Sequence, residues 1–265
     1  MARIYAVQFD IVWEDKAANH AIVERLVEQA APPRGSLIVL PEMFDVGFSL
    51  NTGVTAEQAT GGASEAWCAA AAKRWGVYLQ GASVQQPDPR GKATNDAVVF
   101  NPDGELICRY SKIFPFSGGR ETEAFKGGRR LVTFEWAGLK VCPLICYDLR
   151  FPEIWRLAAI DLGAEVFTIG ASWPSPRHHH WLTLLSARAI ENQAYVVGLN
   201  RCGKDPALSY SGGSRLIDPK GEALAKADDG PIVLSAEIDP MTVRSWRASF
   251  KALADVRREF LGSSD

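Results

Sequence analysis

The chain has 265 residues, 47% hydrophobic and 23% charged, with a formal net charge of −2. That is enough for one large core but supplies no basic face for nucleic acid or an anionic membrane. No apolar run approaches the ~20 residues of a membrane span, so neither nucleic acid nor a bilayer is an expected partner.

In chain order, residues 1–10 alternate as a first strand and lack the charged-then-apolar pattern of a signal peptide. Ile22, Val23, Leu26, Val27 and Ala30 recur at helical spacing until Pro32-Pro33. A short apolar strand, 36–40, runs into Pro41-Glu42. A second helix spans 64–75, opened by the capping-type Ser64 and closed before Gly76. Strand 77–84 follows, then a hairpin of 97–100 and 105–110 across Asn101-Pro102-Asp103-Gly104. Residues 131–136 and 139–145 form another pair, and Pro152 opens a helix that ends near Gly163.

The second half repeats the rhythm: strand 165–170, helix 180–192 and strand 195–200. Strands 214–217 and 222–226 flank a turn, 232–238 is the last strand, and Asp239-Pro240 caps a helical segment with a loose end at 262–265. So many hairpins argue against a purely parallel sheet. Two mixed sheets, packed together with helices outside, make a layered sandwich. Five cysteines (Cys68, Cys108, Cys142, Cys146 and Cys202) without a close pair point away from a disulfide framework and toward a reducing cytoplasm.

Cys146 lies where a buried strand meets a turn and then the helix at Pro152, near N–H groups that lower a thiol's pKa or bind an oxyanion. Alone, it fits a packed core thiol better than a catalyst, and Cys142, four residues earlier, reads as core. A histidine base is not well placed: His20 reads as solvated on its helix, and His178-His179-His180 follow a loop. No Cys or carboxylate stands at ligand spacing from that run, so no metal is expected. One of the three histidines is left to shape a pocket rim or cap the helix. Glu42, however, directly follows a strand, as does Lys112. Three strands thus deliver a carboxylate, an ammonium and a thiol to what can be one edge.

Pro41-Glu42-Met43-Phe44, residues 110–116 around Lys112 and residues 144–153 around Cys146 together resemble the Glu–Lys–Cys signatures of the nitrilase (carbon–nitrogen hydrolase) superfamily. Residues 187–193 and 195–201, with Trp173-Pro174, resemble most its omega-amidase (2-oxoglutaramate amidase) branch. The resemblance runs nearly the whole chain. It implies a four-layer α-β-β-α sandwich, one domain over 1–265, and a homodimer helped by residues 240–265. It also implies a cofactor-free hydrolase that releases ammonia from a small amide, such as 2-oxoglutaramate, through a cysteine thioester.

Within that reading Glu42 is the base and Cys146 the nucleophile. Lys112 and the Tyr147 N–H stabilise the oxyanion, and Glu121, with Glu123 as fallback, is the second glutamate. Arg150 is the candidate for a distal carboxylate, against an alternative as an ion pair with Asp148 or Glu153. Phe44, Phe116, Tyr147 and Trp173 are candidate pocket walls. The alternatives are a nitrilase, an N-carbamoyl-amino-acid hydrolase, or a non-catalytic binding protein on the same fold.

Overall fold

The computed structural model describes residues 2–57 and 61–261, so the expected loose end at 262–265 lies outside the described residues. The first half contains β1 (Ala2–Gln8), α1 (Lys16–Ala30), β2 (Leu37–Val39), α2 (Thr52–Thr55), α3 (Ala63–Trp75) and β3 (Tyr78–Gln85). Then come β4 (Thr94–Phe100), β5 (Leu106–Ser111), α4 (Glu121–Ala124), β6 (Phe134–Trp136) and β7 (Leu139–Ile145). A 3-10 turn, Cys146–Arg150, leads into α5 (Pro152–Asp161), β8 (Val166–Ala171), α6 (His178–Asn192) and β9 (Tyr195–Asn200). The chain continues with β10 (Cys202–Lys204), β11 (Ser209–Ser211), β12 (Arg215–Ile217), β13 (Ala223–Lys226), β14 (Ile232–Ile238) and α7 (Pro240–Ser249).

The strands form two six-stranded sheets, β14-β1-β2-β3-β4-β5 and β13-β12-β9-β8-β7-β6. Each has a parallel centre (β1, β2, β3 and β7, β8, β9) and antiparallel flanks, which is the mixed pattern expected from the hairpins. Alternation sets the layers. Ile4 and Ala6 of β1 and Val39 of β2 meet Val141, Val166 and Val197 of the other sheet in a central core. The residues between them, Tyr5, Val7 and Ile38, turn outward onto Val23 and Val27 of α1 and Ala71 and Ala72 of α3. Cys142, Phe167 and Val196 turn outward onto Trp155 of α5 and Trp181 and Leu185 of α6. Both faces of both sheets are therefore covered, which is why the central strands read as continuous apolar runs. The result is the four-layer α-β-β-α sandwich.

Several local expectations shift. The strand at 131–136 shortens to Phe134–Trp136, because Leu131 and Val132 pack on the core without joining the ladder. β4 starts at Thr94, earlier than its apolar run. Ser64 is not the cap of α3; Gly62 is the cap residue, and the Glu57 carboxylate accepts the Ser64 N–H at 2.8 Å. α6 begins at His178, so the three histidines form its first turn and none caps it. His20 is not solvated: its ring stacks on Trp67 at 4.3 Å, and burial lowers its pKa to about 4. Among the described residues no helix is long and apolar enough to cross a membrane.

Candidate active site

The carboxyl ends of β2, β5, β7 and β8 meet at one edge of the sandwich, and each delivers a polar residue. After β2, Glu42 enters the space between the sheets with its side chain fully buried. Gly170 of β8 permits this: a Cβ there would stand 2.8 Å from the Leu40 oxygen and 3.0 Å from the Glu42 nitrogen. One Glu42 oxygen accepts from Lys112 Nζ and from Asn95 Nδ2, both at 2.8 Å. The other accepts the Ser172 N–H, just past β8, at 2.9 Å.

Lys112 follows β5 and is 2% exposed. Its ammonium also donates to both oxygens of Glu121, at 3.0 and 2.8 Å. Glu121 is held in turn by the Phe116 N–H at 2.6 Å and Asn95 Nδ2 at 3.2 Å. Glu123 is exposed and paired with Arg120, so Glu121 is the second glutamate of the cluster. Burial alone would lower the Lys112 pKa, but the charges of Glu42 and Glu121 outweigh it and raise it. The ammonium is thus locked in its charged form.

Cys146 opens the turn after β7 with φ of +44°, in the left-handed region that non-glycine residues avoid by roughly 1–2 kcal/mol. Asp148 holds this conformation. Its carboxylate accepts the Ile145 N–H at 3.0 Å, the Phe114 N–H at 3.1 Å and the Tyr110 hydroxyl at 2.7 Å. The same side chain therefore ties the nucleophile turn to the segment that follows Lys112. Burial pushes the Asp148 pKa up to about 7, against the Tyr110 hydrogen bond. On the far side of the turn, Arg188 donates twice to the Leu149 carbonyl, at 3.1 and 2.8 Å.

Burial also pushes the Cys146 thiol well above its ordinary range; Glu42 adds to this and Lys112 opposes it. Glu121 acts in the same direction as Glu42. The resting nucleophile is a thiol, and it needs a neighbouring base to take its proton.

Cys146, Lys112 and Ser172 border a cavity of about 260 Å³, with Phe116, Tyr147 and Trp173 in its wall. Phe44 is not in this wall; it packs on Trp67 in the outer core of the first sheet. Arg150 reaches the rim and forms no ion pair with Asp148 or Glu153. It lies over the Trp173 ring at 4.7 Å, with His180 Nδ1 3.3 Å from its Nη2. Sequence reasoning missed Asn95, Ser172 and Arg177, the last of which also borders the cavity. Asn95 sits in β4 ahead of that strand's apolar run, which was the one available signal. The β10–β11 hairpin, also unforeseen, supplies Asp205 and Leu208 to the rim. Among the described residues no group of three His, Cys, Asp or Glu side chains is placed to hold a metal ion.

The carbon-nitrogen hydrolase family model matches residues 3–248. Omega-amidase YafV of Yersinia enterocolitica is 36% identical, with 98% of each chain covered. A 2-oxoglutaramate amidase of Bacillus subtilis is 33% identical over 97% of this chain and 98% of its own. Among solved structures, a CN-hydrolase superfamily protein of Xanthomonas campestris superposes with a TM-score of 0.89 at 32% identity, covering 98% of both chains. Nit3 of Saccharomyces cerevisiae, a nitrilase superfamily member, gives 0.85 at 26% identity over 98% and 97% of the two chains. With its buried glutamate–lysine cluster beside a cysteine at a strained turn, this chain belongs to the carbon–nitrogen hydrolase family and is an amide-cleaving hydrolase.

Proposed function

We propose that the protein is an omega-amidase that hydrolyses the terminal amide of a dicarboxylic monoamide, such as 2-oxoglutaramate, through a thioester on Cys146. The observation that carries this reading is the Cys146 thiol at a left-handed turn, bordering a cavity together with Lys112, which is hydrogen-bonded to Glu42. The full-length relatives named as an omega-amidase and a 2-oxoglutaramate amidase support the substrate class.

The chemistry follows from the charges. The Glu42 carboxylate takes the proton from Cys146 Sγ as sulfur attacks the amide carbon. The carbonyl oxygen becomes an oxyanion, stabilised by Lys112 Nζ and the Tyr147 N–H, the second N–H of a 3-10 turn. Glu42 returns the proton to nitrogen, the C–N bond breaks, and ammonia leaves a thioester. Glu42 then takes a proton from water as the water oxygen attacks the thioester carbon; the C–S bond breaks, the acid leaves, and Glu42 passes the proton to the sulfur, restoring the thiol. Glu121 keeps Lys112 aimed and charged throughout.

The buried, unpaired state of all five cysteines supports a reducing, cytoplasmic setting. Met241, Phe250 and Phe260 at the C-terminal end, 55–74% exposed, support a homodimer that uses this segment.

The test is ammonia release from 2-oxoglutaramate, succinamate, a nitrile and an N-carbamoyl amino acid, with intact-mass detection of an acyl adduct. Turnover of the first two with an adduct on Cys146 is expected; no activity on either removes the omega-amidase assignment. Cys146→Ala should lose at least about 10³-fold in kcat/KM, and full activity in that variant would end the thioester mechanism.

A further inference from the structure

We propose that Arg150 and Arg177 act together as the specificity element of the cavity, a two-guanidinium clamp for the carboxylate at the substrate end opposite the amide. This inference rests on the omega-amidase reading and names the residues that would make it specific. Both arginines border the cavity that reaches Cys146 and Lys112. They arrive from adjacent parallel strands: Arg150 ends the turn after β7, and Arg177 follows β8 in the 3-10 turn Ser175–Arg177.

Arg109 pairs with Glu65 and Asp96, Arg188 with Glu191, and Arg201 with Asp10. Arg150 and Arg177, by contrast, make no salt bridge among the described residues. Arg156, Arg215 and Arg247 are also partly buried without a salt bridge, but Arg150 and Arg177 are the arginines that border this cavity. Each is laid on a different aromatic wall, Arg150 over Trp173 at 4.7 Å and Arg177 over Phe116 at 5.3 Å. Stacking fixes the plane of a guanidinium while leaving its N–H edge free to donate.

The walls are themselves anchored. Trp173 Nε1 donates to the Arg177 carbonyl at 2.7 Å, and its backbone N–H donates to Asn200 Oδ1 at 2.7 Å. His180 Nδ1 is placed to accept from Arg150. That gives the exposed end of the histidine run a supporting role.

Two cations sharing one apolar-walled cavity repel each other unless an anion lies between them. Burial lowers the Arg150 pKa, and the Arg177 charge pushes the same way. Asp205, the one carboxylate bordering the cavity among the described residues, forms no salt bridge with either. Its oxygens accept from the Ala207 and Leu208 N–H groups and the Tyr210 hydroxyl, which fold the β10–β11 loop. A substrate carboxylate is the anion that completes the site, and two guanidiniums offer it more donors than one bidentate pair.

The experiment compares kcat/KM for glutaramate with that for valeramide, a neutral amide of equal length, in wild type, Arg177→Ala, Arg177→Lys and Arg150→Ala. The neutral amide reports that the nucleophile and fold are intact in each variant. Wild type should prefer the acid. Arg177→Ala should cut that preference roughly 10- to 100-fold, mainly through KM, and lysine should restore part of it. If wild type prefers the acid and Arg177→Ala keeps the preference within about twofold, the clamp is wrong and the omega-amidase reading stands. If wild type shows no preference for the acid, the omega-amidase reading itself falls and takes the clamp with it.

Discussion

Two buried ionic clusters lie three residues apart along the loop after β2, and the first of them borders the cavity through Lys112. At Glu42, two carboxylates clamp Lys112, whose side chain is 2% exposed, beside a thiol on a strained turn. At Asp45, the Ser64 hydroxyl donates to the carboxylate, Asn19 donates to its backbone carbonyl at 2.8 Å, and Lys16 stands 3.9 Å away. Lys16 also pairs with Glu57 at 2.6 Å and is a quarter exposed. This second network joins the start of α1 to the start of α3 and has no nucleophile aimed at a cavity. Burial of charge is common to both clusters, so burial alone does not mark chemistry. The distinguishing feature is a charge that ends at a cavity, next to an atom able to form a covalent bond.

The sharpest way to break that distinction is to neutralise one carboxylate in each cluster. Glu42→Gln removes the proton acceptor for Cys146 and should lower kcat by about 10³-fold or more. Asp45→Asn should leave kcat within a few-fold, since its contacts are to helix starts. The amidase assay decides it: comparable losses in the two variants would show that the Asp45 network also serves the reaction.

A smaller effect is expected from Gly170, which separates the two sheets at the point where Glu42 enters. A methyl group there would press on the Leu40 oxygen, the Glu42 nitrogen and the Pro41 carbonyl carbon, at 2.8, 3.0 and 3.1 Å. These are backbone atoms and cannot rotate away. Gly170→Ala should cost about 1–3 kcal/mol in denaturant unfolding. It should also lower kcat roughly 10- to 100-fold by displacing Glu42. The Asp45 network lies beyond this contact, so loss of stability with unchanged kcat would show that the Glu42 position tolerates the shift.

The difference between the clusters also explains what the sequence disclosed. Glu42, Lys112 and Cys146 each follow the end of a short strand, and strand ends in a mixed sheet collect at an edge, so their convergence was readable. Asn95 was not, because it sits inside β4 and only the sheet order β2-β3-β4 brings it under Glu42. Arg177 was hidden for a similar reason: its role depends on Phe116, 61 residues earlier, and on a cavity made by four strand ends. The layer order followed from hydrophobic alternation, whereas the β10–β11 hairpin has three-residue strands too short for periodicity to register. Ser64 misled because its spacing fits a cap, while its hydroxyl is committed to Asp45 and Glu57.

The finest test concerns pH. Burial raises the Asp45 pKa from 3.8 to about 6. The folded state therefore holds this proton more tightly than the unfolded chain does. The stabilisation is complete below about pH 4 and is lost as pH rises through about 6. Linkage puts the loss at about 2–3 kcal/mol. Asparagine cannot titrate, so the stability of Asp45→Asn relative to wild type should rise by about that amount between pH 4 and pH 6.5, then stay level. Taking the difference of two urea-unfolding series cancels the contributions of Asp148 and Asp96, which burial also raises. Parallel curves across that interval would mean that Lys16 and Ser64 keep Asp45 ionised in the folded state. The cavity and the thiol would then be the whole of the difference between the two clusters.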